Sequence, residues 1–260
     1  MTAREALADA ERRLAGAGVE TPRVDAEWLV AHLLGTTRSG LAGRLDDEVT
    51  GLEPLLARRE KREPLAYVLG EWGFRRLTLK TDARALVPRP ETETLVERTL
   101  ALTEGFERPR ILDVGVGSGA IALALKSERP DAQVTGVDVS ADALALAREN
   151  AELLALEVEL RQGDGAAAAA EGWDVVVANP PYVESLAELE PELRREPEIA
   201  LVGRGEHERL ARAAKAHFVV FEVGDGQAGE VAGILGAAGW RDVRVTKDLT
   251  GTERVVEGAR

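Results

Sequence analysis

The chain has no cysteine among its 260 residues. That absence excludes disulfides, Cys-ligated zinc and thiol catalysis together, and it fits a reducing cytoplasm. Aromatic residues are scarce, at 4%, so the core must rest on Leu, Val, Ala and Ile. No apolar run approaches the roughly 20 residues that span a bilayer. The opening Met1-Thr2-Ala3-Arg4-Glu5 starts an amphipathic pattern rather than a signal peptide. The expectation is a cytoplasmic protein that meets no membrane. Positive charge is also short: 33 Lys and Arg face 46 Asp and Glu, for a net charge of −13. Affinity for naked nucleic acid rests on phosphate neutralisation by a basic patch, so an acidic balance spread along the chain argues against nucleic acid as a partner. No metal site is expected. What is present, 45% hydrophobic residues, suffices for one α/β domain with a helical appendage.

Residues 1–63 read as a helical domain. Thr2 and Glu5 form a capping box, and Leu7, Ala10 and Leu14 recur at helical spacing until Gly16 and Gly18 stop the run. Thr21-Pro22 restarts a helix that carries Trp28, Leu29, Ala31, Leu33 and Leu34 as far as Gly35, and a third helix runs from about Leu52 to Arg62. This bundle shows no chemistry, and its expected part is either to dock a substrate or to act as a structural cap. Residues 64–90 read as a β connector, with strand-like pieces at Trp72–Phe74 and Leu77–Leu79, and 91–260 as the catalytic domain. Pro88 and Pro90 flank Arg89, which biases it toward an extended conformation, and a helix starts near Glu91 with Leu95, Val96 and Leu100 on its inner side.

From Arg110 strands alternate with helices, the signature of a mainly parallel sheet. Strands are expected at 110–114, 133–138, 156–161, 174–178, 217–223, 241–247 and 253–257, and helices near 119–129, 140–153, 206–216 and 227–238. The Ala166–Ala170 run reads as a helical turn or loop. The fold class is α/β with a Rossmann-like seven-stranded sheet. Its last two strands pair antiparallel, because too few residues separate them for a crossover helix.

Two motifs carry chemistry. The first is Asp113-Val114-Gly115-Val116-Gly117-Ser118-Gly119-Ala120, a glycine turn between strand and helix. Glycines serve where the backbone turns sharply and where a ligand lies against bare main chain. Gly115, Gly117 and Ala120 also satisfy the dinucleotide fingerprint. Asp138, about 20 residues on, ends the next strand, where a carboxylate accepts hydrogen bonds from ribose hydroxyls. These residues point to a nucleoside-containing cofactor without choosing between classes. Asp113 tilts the choice, since an acidic group ahead of the glycines suits a cofactor with a cationic amino-acid end rather than a pyrophosphate. Its bland alternative is a buried carboxylate bonded to loop amides.

The second motif is Asn179-Pro180-Pro181-Tyr182, directly after the buried strand Asp174–Ala178. Ligands of open α/β sheets bind beyond the carboxyl ends of the strands, which sets this element beside the glycine loop. The prolines fix φ and remove two donors. The Asn179 side-chain oxygen and the Pro180 carbonyl then offer two acceptors to one planar –NH2 group, and Tyr182 supplies a flat wall. Such a device suits methylation of an sp2 nitrogen, whose N–H bonds it holds while positive charge develops. Asp164-Gly165, after the third strand, is placed for an adenine amino group, although an Asp-Gly turn is bland in most proteins.

Taken in order, these residues resemble the HemK family, the peptide-chain-release-factor glutamine methyltransferases. The likeness starts at Arg59–Gly70 and passes through Pro88–Glu93, Gly115–Gly119, Asp138 and Asn179–Tyr182. It continues to Glu196-Pro197, Glu222-Val223-Gly224 with Gln227, and Arg254-Val255-Val256. Asn-Pro-Pro-Tyr is shared with adenine-N6 and guanine-N2 nucleic-acid methyltransferases. Pro-Arg-Pro-Glu-Thr-Glu separates the release-factor branch from these and from the branch that methylates a ribosomal-protein glutamine. The resemblance implies an S-adenosylmethionine-dependent methyltransferase fold with a small helical N-terminal domain. It implies a class 1 release factor as protein substrate, methylated at the glutamine of its Gly-Gly-Gln loop. Asp113, Gly115, Val116, Gly117, Ser118, Gly119, Asp138, Asp164, Gly165 and Asn179 are then cofactor-binding. Asn179, Pro180 and Tyr182 are catalytic, and they bind substrate together with Pro181, Arg89 and Glu91. A module that only binds a nucleoside cofactor and docks a partner is the alternative from another class. One departure concerns the segment before Phe221, where the family has a longer stretch ending in a Pro-Gly-Gly-type turn. Here His217 enters the strand almost at once.

Overall fold

The computed structural model describes residues 1–183 and 185–260 and divides into two units. The first comprises Met1–Glu71 with Glu190–Arg195. Its helices are α1 (Ala3–Gly16), α2 (Pro22–Leu33), α3 (Leu52–Glu60) and α4 (Leu65–Leu69). The capping box is present: the Thr2 hydroxyl accepts from the Glu5 amide at 3.3 Å, and the Glu5 carboxylate accepts from the Thr2 amide at 2.9 Å. Leu7, Ala10 and Leu14 of α1 are buried, as are Leu29 and Val30 of α2 and Leu56 of α3. The bundle also buries charge. Arg59 bonds Asp25 at 2.6 Å and Glu192 at 2.8 Å, and Arg62 bonds Glu192 at 2.6 Å. Within the expected 64–90 connector lies α4, a single helical turn between Pro64 and a Gly70 at φ +79°.

The second unit, Trp72–Leu189 with Glu196–Arg260, starts with the hairpin of β1 (Glu71–Phe74) and β2 (Leu77–Lys80), followed by α5 (Thr92–Thr103). Strands and helices then alternate as β3 (Arg110–Val114), α6 (Ala120–Glu128), β4 (Gln133–Asp138), α7 (Ala141–Leu154), β5 (Glu159–Gln162), α8 (Gly165–Ala169) and β6 (Trp173–Ala178). The chain continues through α9 (Glu198–Leu201), α10 (Glu206–Ala213), β7 (Ala216–Glu222), α11 (Ala228–Ala237), β8 (Arg241–Lys247) and β9 (Glu253–Ala259).

The seven-stranded sheet has the order β5-β4-β3-β6-β7-β9-β8. β3 to β7 are parallel, and β9 pairs antiparallel with both β7 and β8, as the spacing of the last two strands requires. Side chains alternate between the faces. Ile111, Val175, Val177 and Val220 join the cluster that includes Leu95 and Val96 of α5 and Leu123 of α6. Leu112, Val176, Val219 and Phe221 join Leu210 of α10 and Val231 of α11. Both faces are covered, as a parallel sheet demands.

Two local differences from the sequence reading have physical causes. The third strand starts at Glu159 rather than Leu156, because Ala155 closes α7 in the left-handed region (φ 52°) and pairing with β4 begins at Thr135–Glu159. The short link before Phe221 closes without a proline turn. Lys215 donates its amide to the Ala169 carbonyl at 2.9 Å and accepts from the Trp173 amide at 2.9 Å, which seats Ala216 beside Trp173. Gly136 on β4 leaves room for the glycine turn. A Cβ there would stand 2.6 Å from Val116 Cγ2 and 3.0 Å from Leu160 Cδ2. Gly136→Ala is expected to destabilise the protein by about 1–3 kcal/mol through overpacking, read as a lower urea midpoint at unchanged slope.

Candidate functional site

The carboxyl ends of β3, β4 and β6 open on one cavity of about 360 Å³. Its lining includes Gly115, Val116, Gly117 and Ser118 from the glycine turn, Asp138 from β4, Asp164 and Gly165 from the start of α8, Asn179, Pro180 and Pro181 after β6, and Arg89. Tyr182, Glu91, Gly119 and Asp113 lie outside that lining.

The turn needs its glycines for two reasons. Gly115, Gly117 and Gly119 have φ of +77°, +53° and +88°, values that strain a residue with a Cβ. A Cβ on Gly115 would also point into open space, so bare main chain faces the cavity there. Asp138 fixes the turn: Oδ2 accepts from the Gly117 amide at 3.0 Å and Oδ1 from the Ser140 amide at 2.9 Å. A carboxylate offers about four lone-pair directions, so both oxygens retain capacity for ligand hydroxyls.

Asp113 sits under the turn, fully buried. Oδ2 accepts from the Ala122 amide at 3.0 Å, and Oδ1 has no partner among the described residues. Burial pushes its carboxyl up to about 7, against the pull of the Ala122 amide, and nearby Asp138 adds to the rise. Asp164 caps α8 by accepting from the Ala167 amide at 2.9 Å and pairs with Arg209. Gly165 is held tight, since a Cβ there would stand 2.3 Å from Val114 Cγ1.

The Asn-Pro-Pro-Tyr element leaves β6 at its carboxyl end. Asn179 Nδ2 donates to the Thr92 hydroxyl at 3.4 Å, a long bond. Gln227 straps the far end, donating to the Tyr182 carbonyl at 3.2 Å and accepting from the Gly224 amide at 3.0 Å. Gly224 lets the ring close in, for a Cβ there would lie 2.9 Å from Tyr182 Cδ2. Burial raises the Tyr182 hydroxyl above its ordinary pKa, and Glu222 nearby adds to the rise. Arg89 is gripped by the buried carboxylate of Glu196, whose other oxygen accepts from the Val87 amide at 2.9 Å.

Several participants escaped the sequence reading. Asn150 of α7 braces the glycine turn from behind, donating to the Ser118 carbonyl at 2.9 Å while holding Lys80 through its amide and carbonyl. Thr92 and Glu196 act on the cavity from distant segments. Val139 and Ile199 leave large apolar side chains exposed on its lining, where a flat ring system has apolar surface to meet. The Val139 signal was available, since it directly follows Asp138. Thr92 and Glu196 fall in stretches that carry the family likeness, but nothing in the sequence gives them a role, and Asn150 has no signal.

The cavity fits S-adenosylmethionine. Its wall offers open space over Gly115, Asp138 oxygens with acceptor capacity to spare, and the exposed apolar side chains of Val139 and Ile199. Among the described residues no group of His, Asp or Glu is placed to hold a metal ion, and no helix is long and apolar enough to cross a membrane. The parallel sheet with its antiparallel last strand, the glycine turn and the Asn-Pro-Pro-Tyr element together define an S-adenosylmethionine-dependent methyltransferase. Comparison with known proteins makes this specific. Residues 91–206 match the methyltransferase small domain, and residues 5–70 match the PrmC N-terminal domain. The chain is 42% identical to the release factor glutamine methyltransferase of Rhodospirillum rubrum, over 95% of this chain and 82% of that one. It is 40% identical to that of Deinococcus radiodurans, over 100% and 99%. It belongs to the release factor glutamine methyltransferase family. The hMettl16 catalytic domain, solved in complex with the MAT2A 3'UTR hairpin 6, superposes with a TM-score of 0.59 over 79% of this chain and 81% of that one, at 14% identity. That likeness is one of fold alone.

Proposed function

We propose that the protein methylates the side-chain amide nitrogen of a glutamine in a class 1 peptide chain release factor, within the Gly-Gly-Gln loop that the family resemblance implies. The observation that carries this reading is the Asn179–Pro181 element on the wall of the cavity that also holds the glycine turn and Asp138, in a chain about 40% identical to named release factor enzymes.

Bound S-adenosylmethionine supplies a methyl group on a positively charged sulfur. Asp138 would receive its ribose hydroxyls and the Gly115–Gly119 turn its amino-acid end, while Asp113, buried beneath that turn and off the cavity wall, supports the turn rather than touching the cofactor, and Asp164 with Gly165 would border the adenine. The Asn179 side-chain oxygen and the Pro180 carbonyl accept the two N–H bonds of the target amide, which turns its nitrogen toward the methyl. They also stabilise the positive charge that grows on that nitrogen. Tyr182, Pro181, Arg89 and Glu91 border the glutamine and its loop. The nitrogen becomes acidic only as the new C–N bond forms, so its proton passes to water without a strong base.

The helical unit of residues 1–71 holds the release factor, the reaction takes place in the cytoplasm, and neither nucleic acid nor membrane takes part. Transfer of labelled methyl to a release factor, compared with DNA and RNA, tests the substrate. Label in nucleic acid alone would overturn the reading. Asp138→Ala is expected to weaken S-adenosylmethionine binding by ~1–3 kcal/mol, through loss of a charged acceptor to hydroxyls. Calorimetry checks this, and tight binding of NAD in place of S-adenosylmethionine would contradict the cofactor assignment.

A further inference from the structure

The register of β6 and β7 brings together three polar side chains from distant parts of the chain. The last paired residues are Ala178 and Phe221, so Asn179 and Glu222 follow side by side. By strand alternation they point to the same face as Val177 and Val220, toward the start of α5, where Thr92 is its first residue. Thr92 and Glu222 are both buried, and Asn179 Nδ2 donates to the Thr92 hydroxyl oxygen. The Thr92 hydroxyl lies close enough to the Glu222 carboxylate to favour its charged form. Glu222 Oε2 is buried and has no partner among the described residues.

We infer that Thr92 and Glu222 are positioning residues that fix which end of the Asn179 amide faces the substrate, with charged Glu222 setting the productive polarity. The inference rests on the proposed role of Asn179 as an acceptor.

The argument is one of donors and acceptors. A charged carboxylate only accepts, so it draws the Thr92 proton. The Thr92 oxygen is then left as an acceptor and requires a donor, which is Asn179 Nδ2. Oδ1 is thereby turned to the cavity, where an amide N–H needs it. A protonated Glu222 gains an O–H donor, so it no longer enforces this order and admits the reverse one. In the reverse order it donates to Thr92, Thr92 donates to Asn179 Oδ1, and the –NH2 group meets the substrate –NH2 with the wrong polarity. Burial pushes the Glu222 carboxyl up to about 7, against the Thr92 hydroxyl and the positive charge of Arg254. The charged and titratable groups around it are Arg254 on β9, Arg89 and Glu91 ahead of α5, Tyr182 after β6, and His207 on α10, which bonds the Glu222 carbonyl. Burial lowers the pKa of His207. The productive polarity therefore develops as pH rises through about 7.

The test is single-turnover methyl transfer to a release factor, with cofactor and protein substrate saturating, between pH 5.5 and 9 in about half-unit steps. Wild type, Thr92→Val, Thr92→Ser, Glu222→Gln and Asn179→Ala are compared, and calorimetry of S-adenosylmethionine binding confirms that each variant is folded. The wild-type rate is expected to rise with pH through the Glu222 titration. Thr92→Val keeps the shape of the side chain but removes both halves of its relay, and it should slow transfer by about tenfold to a hundredfold, the range for a mispositioned reacting group. Thr92→Ser should recover most of that loss. Glu222→Gln should slow transfer and flatten the pH profile. A Thr92→Val rate equal to wild type, or a Glu222→Gln profile with the wild-type inflection, would overturn the inference. Thr92→Val or Glu222→Gln protein that no longer binds cofactor would assign the pair a structural role and overturn it as well. Wild-type rates in Asn179→Ala would instead defeat the acceptor role on which it stands. Loss in Asn179→Ala but not in Thr92→Val would defeat only the positioning.

Discussion

Asn179→Ala is expected to slow the methyl-transfer step by about 10²–10³, the loss typical of removing one preorganised polar contact to developing charge, and to change release-factor binding far less. The asymmetry follows from where the side chain acts. Asn179 lines the cavity at the carboxyl end of β6, where it meets one amide group of the substrate rather than a protein surface. Its contact strengthens as the amide nitrogen gains positive charge, so the transition state loses more than the bound ground state. The two prolines that follow raise the cost of the loss. They keep the Pro180 carbonyl from moving to compensate, and the orphaned N–H then faces an apolar wall instead of an acceptor.

Asn179→Asp separates two features of the same residue. It keeps an acceptor oxygen, adds negative charge, and gives up the Nδ2 donor to Thr92. Partial activity would support the acceptor role. Single-turnover kinetics separate transfer from binding, because a steady-state KM equals a dissociation constant only when chemistry is slow. Transfer by Asn179→Ala at the wild-type rate would refute the mechanism while leaving family membership untouched.

Much of the fold is legible because its signals are local. Thr2 with Glu5, Pro22, and the alternation of apolar strands with amphipathic helices each act within a few residues, and the structure keeps them. The glycine turn and Asp138 are legible for the same reason: a strand end and a backbone with φ above zero leave their mark on sequence. The start of the four-residue strand β5 is not legible, since Leu156 and Val158 are apolar enough to suggest strand yet pack on the core from a loop. The turn α4 is hidden in the connector although Pro64 and Gly70 bracket it, because five residues give periodicity too little to work on. The cavity itself was half legible. Asn179 and Pro180 announce themselves by composition. Glu196, Glu222 and Thr92 enter only as positions in a family likeness, with no role, and Asn150 not at all, because a buried polar residue has meaning only through a partner that the fold supplies. Val87 and Glu196 stand 109 residues apart, and no pattern in the sequence pairs them.

Arg59→Ala is expected to destabilise the unit of residues 1–71 by about 3–5 kcal/mol, the range for breaking a buried ion pair by removing one partner. Arg59 is 6% exposed and Asp25 4%, so neither charge has water to fall back on. Removal of the guanidinium leaves Asp25 with the Thr21 hydroxyl at 2.9 Å, a neutral donor in place of a cation. Glu192 keeps Arg62 and loses less. Burial works to raise the Glu192 pKa, but Arg62 and Arg59 together hold it below the ordinary glutamate value. The stabilisation from that group is therefore present above about pH 4.5, the ordinary glutamate value, and is lost as pH falls through the lowered pKa. Replacing both partners with apolar residues, Asp25→Leu with Arg59→Met, should cost much less than Arg59→Ala, since it leaves no buried charge uncompensated. Urea denaturation of the full-length protein at pH 7, followed by a probe in the helical unit such as Trp28 fluorescence, measures all three. An Arg59→Ala midpoint equal to wild type would mean that the buried network contributes nothing to folding. A double variant no more stable than Arg59→Ala would mean that side-chain packing, rather than uncompensated charge, sets the cost.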